Sequence, residues 1–578
     1  MALQNRNSHG EYQQVDIDLA HYTLLALGCS VGFFLIWNVP FRMICHLRHI
    51  ACLNNEQQYY YVPGYKWLAI LRKHFLYAPL FRTRHHREFQ ISRAVNMGTL
   101  PSRHHACILI AILAMNVAVC TELVPYGTDQ VAGIIRNRTG TIATLNLIPL
   151  VLLAGRNNPL ISLLQIPYDT FNFFHRWLAR IVVLEALAHV FAWCIPKAQK
   201  VGWDAVRMAI KESAFIRAGL IASCTFALLL IHSPSPIRHA FYETFLHLHI
   251  ATAATAFIFL WFHLKDRPAQ QFLFGAIALW GTERLARILT ISYRNCGPKI
   301  KLTTAIIEAL PGNNILKIAL HLPRPWAVTP GQHVYLYIPA IGLWTSRPLS
   351  ICWSDLTPAG EDEDHGHDDS NKTTMYLLIR CRTGFTDTLA RRATKSPNRV
   401  ISVRAMVEGP YDGIHSLDSY GTIVLFAGGV GITYHLLFLD RLVRGRAMGT
   451  LAARRITLVW VIRSLRDLEW IDPWINGILE YALKEEEKGG SSARVLRILV
   501  YVTGACDADD VPRGMGKMQI FNGRLTFEKI LGEEVQSQMG VMGVLSCGSG
   551  GFSDDVRAAC RKLQGKTHIE LFEESFTW

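Results

Sequence analysis

Residues 168–191 read YDTFNFFHRWLARIVVLEALAHVF, a stretch long enough to cross a bilayer, with His175 near one end and His189 near the other. Ionisable side chains inside a span are costly, so two of them point to function. The pattern recurs at 244–264, TFLHLHIATAATAFIFLWFHL, where His249 and His263 are again fourteen residues apart. At about 100° and about 1.5 Å per residue, fourteen steps end about 40° short of four turns and separate the rings by about 21 Å. Each helix then shows two imidazoles on one face, one toward each side of the membrane. One further span separates the two helices, so they run parallel, and His175 faces His249 at one level while His189 faces His263 at the other. Two imidazoles fill both axial positions of a haem iron, and two such pairs predict two b-type haems with electron transfer as their chemistry. A lone histidine at a span end reads as a headgroup anchor, but a duplicated spacing does not. His247, sixteen residues from His263, falls about 160° off the shared face. Arg176 and Arg180 suit haem propionates, and Arg176 equally suits a charge at the membrane boundary.

Outward from these helices, the 578 residues are 50% hydrophobic and 18% charged, and the charge is depleted in the first half. Candidate spans lie near 19–39, 104–124, 139–155, 177–195, 214–232, 244–264 and 269–290. The first reads as retained, because Glu11, Asp16 and Asp18 precede it where a signal peptide would be basic. In the loop at 40–103, Arg42, Arg48, Lys66, Arg72, Lys73, Arg82, Arg84, Arg87, Arg93 and Arg103 face only Glu56 and Glu88, which places that loop in the cytoplasm. Seven spans then leave everything after residue 290 cytoplasmic. The sequon Asn137-Arg138-Thr139 falls in an outside loop, as does 196–213 with its four basic residues. The net charge of +14 comes from such membrane-flanking loops and not from an aromatic-interleaved basic domain, so no nucleic-acid partner is expected. The 13 cysteines form no CxxC pair, which argues against a zinc site or a disulfide framework.

From Lys299 the text changes to β-rich runs such as QHVYLYIP, punctuated by Pro311-Gly312 and Pro330-Gly331, which predicts a small antiparallel barrel to residue 420. From residue 421, TIVLFAGGVGIT, a helical stretch and ITLVWVIRS give strand, Gly-rich turn, helix and strand, a nucleotide-binding layout. The expected division is a tail, first span and basic loop at 1–103, a six-span haem domain at 104–298, an FAD barrel at 299–420 and an α/β nucleotide domain at 421–578. The acidic run at 361–369 reads as a solvated loop. Arg347-Pro348-Leu349-Ser350 would aim a cation and a hydroxyl at a flavin and its diphosphate. Gly384-Phe385-Thr386, a turn before a helix, and Gly428-Gly429-Val430-Gly431-Ile432-Thr433 would offer backbone N–H groups to phosphates. Arg463 follows the strand LVWVI where a 2′-phosphate would sit, with no acid ending that strand to take a ribose hydroxyl, so NADPH is expected over NADH.

GRNNPL at 155–160, YDTFNFFHRWLAR at 168–180, PGQHVYLYIP at 330–339, AGGVGIT at 427–433, LVWVIRS at 458–464 and EESFTW at 573–578 together resemble the fungal-type ferric reductases, within the flavocytochrome family that includes the NADPH oxidases. The resemblance covers roughly residues 104–578. It implies that Arg347 to Ser350 and Gly384 to Thr386 bind FAD, and that Gly428 to Thr433, Arg463 and the Cys547-Gly548 turn bind NADPH. It also implies that Trp578 stacks on the flavin and swings aside for nicotinamide. The sequence has Arg347-Pro348-Leu349-Ser350 where the family usually has His-Pro-Phe-Thr/Ser, and Cys547-Gly548-Ser549 where it has Cys-Gly-Pro. The expected activity is transfer of electrons from NADPH through FAD and two haems to a ferric or cupric chelate across a membrane, most simply the plasma membrane. The alternative is a superoxide-producing NADPH oxidase. Lipid surrounds such a protein, and an iron permease or oxidase is a candidate downstream partner.

Overall fold

The computed structural model describes residues 2–574 except 57, 82–84, 93–94, 97, 129, 298–300, 311–314, 358–371, 382–383, 489–494 and 505–516. Trp578 and the acidic run at 361–369 therefore lie outside the described residues. The chain divides into two compact units, one of residues 1–39, 89–98 and 104–286 and one of residues 40–88, 99–103 and 287–578.

The long helices of the first half are α1 (Ala2–Leu53), α2 (Arg103–Thr121), α3 (Val131–Ala154), α4 (Tyr168–Val201), α5 (Ala214–His232), α6 (Tyr242–His263) and α7 (Gln270–Asn295). Among the described residues, α1 from Gln14, α2, α4, α5 and α6 are long and apolar enough to cross a membrane. The other two expected spans are helices whose apolar text is diluted, by Arg136, Arg138 and Asn146 in α3 and by Glu283, Arg284 and Arg287 in α7. Large apolar side chains such as Phe33, Trp37, Leu184, Phe191 and Phe262 are exposed, as a lipid solvent permits and water does not. Polar groups turn inward and pair, because unsatisfied ones cost most in lipid. Arg138, fully buried, donates from Nε to Asp16 at 2.9 Å. Asn146 donates to Glu185 on α4 at 3.0 Å and to Asn116 on α2 at 2.7 Å. Leu147, Val182, Phe226, Phe257 and Leu273 form the apolar centre of this unit.

Three boundaries differ from expectation. Helix α1 continues through Pro40 to Leu53, well into the expected loop. Asn137 of the sequon lies within α3, which begins at Val131, and not in a loop. The expected loop at 196–213 is also helical, as the end of α4 and a further helix Trp203–Glu212, because its Ala, Met, Lys, Arg and Glu are strong helix formers.

The second unit carries β1 (Thr304–Ala309), β2 (Ile315–Leu322), β3 (Gln332–Ile338), β4 (Gly342–Ser350), β5 (Trp353–Thr357), β6 (Lys372–Arg380), helix α8 (Phe385–Lys395), β7 (Val400–Arg404) and β8 (Met406–Asp412). The expected barrel is built as two antiparallel sheets, β8-β3-β4 and β5-β6-β2-β1-β7. They share a core of Ile307, Ile318, Leu336, Val407 and Leu389. There follow β9 (Thr422–Gly428), α9 (Ile432–Ala447), β10 (Arg455–Ile462), α10 (Asp472–Lys488), β11 (Leu496–Val502), β12 (Met518–Asn522), α11 (Phe527–Gln536), β13 (Met542–Cys547), α12 (Gly550–Leu563) and β14 (Ile569–Glu574). These strands form one parallel sheet in the order β12-β11-β10-β9-β13-β14. The unbroken apolar text of β9 is buried on both faces, as a central parallel strand requires.

Residues 40–88 belong to this unit and join its last strand. Glu570 of β14 accepts from Arg72 at 2.9 Å and from the Tyr420 hydroxyl, with Arg48 at 3.8 Å. Burial alone would raise the Glu570 carboxyl, but His568, Arg72 and Arg48 outweigh it and hold it well below its usual range. Glu573 is likewise raised by burial and, in the balance, drawn down to about 2 by Arg557 and His86. Depressed carboxylates add stability above their unfolded value of 4.5 and lose it as pH falls toward the folded one. Melting temperature should therefore hold between about pH 7 and about pH 5 and fall steadily below about 4.5. Glu570→Ala, which leaves Arg48 and Arg72 buried without their shared anion, should cost about 3–5 kcal/mol at neutral pH, measured as a lowered melting temperature.

Candidate functional site

In the helical unit, α4 and α6 bring the four histidines together in the expected pairs. The ring centres of His175 and His249 are 6.4 Å apart, and those of His189 and His263 are 6.1 Å apart. Two imidazoles that share one metal, each nitrogen about 2 Å from it, have ring centres about 6 Å apart, so both gaps fit a single ion between the rings. The outward nitrogens are tied down. Nδ1 of His175 is 2.9 Å from the Leu150 carbonyl, Nδ1 of His189 is 2.7 Å from that of Arg136, and Nδ1 of His263 is 2.9 Å from that of Phe215. A carbonyl only accepts, so each of these Nδ1 atoms carries the proton and Nε2 keeps its lone pair for a metal.

The helix surfaces are cut to admit these rings. Gly140 follows the Arg136 carbonyl by four residues, and a Cβ there would lie 2.6 Å from the His189 ring. Gly219 stands in the same relation to Phe215, with a Cβ 2.6 Å from the His263 ring. Nδ1 of His249 is buried without a hydrogen-bond partner, and His232 lies beside it with ring centres 5.8 Å apart. His247 is turned away and bonds the Glu243 carbonyl of its own helix at 2.7 Å. Arg180 lies over the Trp177 ring.

In the second unit, the strand order reverses beside β9, so the turns after β9 and β13 open a crevice at the carboxyl ends of the strands, where α/β sheets bind ligands. Gly428 to Thr433 form the first turn, and Cys547 and Gly548 the second. A Cβ on Gly431 would lie 2.3 Å from the Cys547 carbonyl oxygen, so glycine is what lets the turns touch. Burial, with Glu574 adding to it, holds the Cys547 thiol well above its usual value, so the sulfur is a neutral thiol and not a nucleophile. Arg463 directly follows β10, and its N–H donates to Asp467, which also accepts from the Ser464 N–H in a capping box. The nearest acid after that strand is thereby committed to the backbone.

The flavin string lies on β4, where Arg347, Pro348, Leu349 and Ser350 pair with Leu336, Tyr335, Val334 and His333 of β3. His333 pairs with Asp412 at 3.0 Å. Gly384 is the N-cap of α8, at φ +92°, and brings no side chain of its own to the start of that helix. Phe385 and Thr386 begin the helix and are buried.

Two features were not foreseen. The Glu185–Asn146–Asn116 chain was signalled by one acid in the middle of the 168–191 stretch. The attachment of residues 40–88 to the nucleotide sheet had no local signal.

Three family models match the chain in order. A ferric reductase like transmembrane component matches residues 139–260, an FAD-binding domain 299–414 and a ferric reductase NAD binding domain 420–561. Among curated proteins, the chain is 25% identical to ferric reductase transmembrane component 3 of Saccharomyces cerevisiae, over 88% of this chain and 71% of the relative. It is 25% identical to ferric/cupric reductase transmembrane component 2 of the same yeast, over 87% of this chain and 71% of the relative. Ferric/cupric reductase transmembrane component 1 of Candida albicans is 23% identical over 88% and 67%.

Gly431→Ala should push the two crevice turns apart at a cost of about 1–3 kcal/mol. Melting curves with and without added dinucleotide should show a lower melting temperature and a loss of the nucleotide-induced rise.

Proposed function

We propose that the chain is a member of the ferric reductases of the transmembrane flavocytochrome family that includes the NADPH oxidases, and that it moves electrons from cytoplasmic NADPH through FAD and two b-type haems to a ferric or cupric chelate on the opposite side of the membrane. The observation that carries this reading is the pair of imidazole gaps of 6.4 and 6.1 Å on helices that a membrane would surround. When bound, a flavin would supply the conversion from two-electron to one-electron chemistry, and haem would supply single-electron relay.

His175 with His249, and His189 with His263, would hold the two irons. Carbonyls on neighbouring helices keep three of these rings oriented, so little reorganisation is needed when the metal enters. Arg176 and Arg180 would meet propionates of one haem. The β3–β4 hairpin and the N-terminus of α8 would hold FAD, with Arg347 and Ser350 at its diphosphate. The crevice between β9 and β13 would hold the nucleotide, with Cys547 and Gly548 at the nicotinamide. Trp578 would cover the flavin until nicotinamide displaces it. Arg463 would take the 2′-phosphate, a role favoured because Asp467 is occupied by the capping box. The basic text at 40–103 supports a cytoplasmic reductase half, and chelate uptake from outside supports the plasma membrane.

Purified protein loaded with FAD and haem should oxidise NADPH rapidly with a ferric chelate and slowly with oxygen. Fast superoxide formation with little chelate reduction would overturn the reading in favour of an oxidase. His189→Ala and His263→Ala should each lose about half of the reduced-minus-oxidised haem absorbance together with chelate reduction, while His247→Ala keeps both. Arg463→Ala should lower the preference for NADPH over NADH by about tenfold, the loss of one charge-assisted contact, as read from steady-state kcat/KM with each nucleotide.

A further inference from the structure

Residues 40–103 precede the first matched family model, and their arginines were read only as determinants of orientation. In the second unit the 40–88 part of this segment forms a strap along β14, the edge strand of the parallel sheet. The Val62 carbonyl accepts from the His568 N–H at 3.0 Å, and the Tyr77 hydroxyl accepts from the Leu571 N–H at 3.2 Å. Those bonds, with Arg72 on Glu570, are enough to close an exposed edge.

The strap does more than that. The consecutive backbone N–H groups of His85, His86 and Arg87 donate to the Asp554 carboxylate at 3.1, 2.8 and 2.9 Å. Successive N–H groups converging on one anion form a nest, and here the anion is a buried side chain of the same protein. Asp554 sits early in α12, the helix that starts three residues after Cys547. At its first residue, a Cβ on Gly550 would lie 2.1 Å from the His86 carbonyl oxygen, so backbone meets backbone there. The His86 ring also lies 3.9 Å from Glu573 and 3.4 Å from Arg557. The strap therefore grips both β14 and the start of α12 directly after the Cys547–Gly548 turn, the place proposed to receive nicotinamide. An edge cover alone requires neither the nest nor the contact at Gly550.

We propose that residues 85–87 are a positioning element of the nicotinamide site: by holding Asp554 and abutting Gly550, they fix the Cys547–Gly550 turn against which nicotinamide docks. This rests on the proposed nicotinamide role of that turn. Loosening it should weaken nucleotide docking without removing any group that touches flavin.

The test is stopped-flow reduction of flavin at increasing NADPH in the full-length, FAD-loaded protein. Asp554→Ala and, independently, Gly550→Ala should raise the half-saturating NADPH concentration about three- to tenfold, with FAD content and the limiting rate within about twofold of the parent. Asp554→Asn keeps one acceptor oxygen and should fall between them and the parent. Alanine is favourable early in a helix, so Gly550→Ala disturbs the strap without weakening α12 itself and covers the case in which Asp554→Ala does not fold. Cys547→Ala, run alongside, separates the two ideas. If it leaves the NADPH dependence unchanged, the nicotinamide reading of the turn fails. If it shifts that dependence while Asp554→Ala and Gly550→Ala change only the melting temperature, the strap is an edge cover and the positioning role is rejected.

Discussion

A backbone carbonyl behind the ring, present at three of the four paired histidines, is the constraint on which the geometry of the two imidazole pairs depends. An imidazole that could rotate would offer either nitrogen, and a metal between two such rings would have no fixed geometry. Each tethering carbonyl already belongs to a helix, so it must be reached past the residue one turn later. At Gly140 and Gly219 that residue has no side chain, and after Leu150 it is Ala154. Small residues at these positions expose a helical carbonyl to a second donor, and the spacing of the histidines then sets the distance between the two imidazole pairs.

The second unit obeys a different economy. Its parallel sheet places two glycine turns at the point where the strand order reverses, and packs them closely enough that a single methyl at Gly431 would separate them. Groups that could interfere with the crevice are neutral or engaged: the Cys547 thiol is protonated, and the Asp467 carboxylate caps a helical turn. A nucleotide in the crevice would then meet backbone N–H groups and Arg463. The helical unit presents side chains at its paired imidazoles, whereas this unit presents main chain at its crevice.

What could be read in advance follows from the range of the interactions. The histidine pairing depends on helical periodicity, which is local, and both pairs were legible from two fourteen-residue intervals. The Gly-rich turn and its flanking strands were legible for the same reason. Helix α1 was cut short because Pro40 and the basic residues after it suggest a loop, although Arg, Met, Leu and Ala there propagate a helix readily. Asn137 and the 196–213 stretch were misplaced because polar text in a membrane protein was taken for loop when it was helix. The strap was illegible in principle: Arg72 meets Glu570 and Val62 meets His568 about five hundred residues away, and no local pattern in the basic text distinguishes those residues from membrane-flanking charge.

That separation has a consequence for biosynthesis. Residues 40–88 leave the ribosome well before β14, the strand to which they bond. With 498 residues between Arg72 and Glu570 and elongation at roughly 5–20 residues per second, the strap waits about 25–100 s for its partner. During that interval its arginines and the N–H groups of residues 85–87 have only water, lipid headgroups or chaperones to bind. The nucleotide sheet can assemble its central strands in the meantime, but its edge stays open until these two distant segments meet, so closure of that edge is a high-contact-order step in maturation.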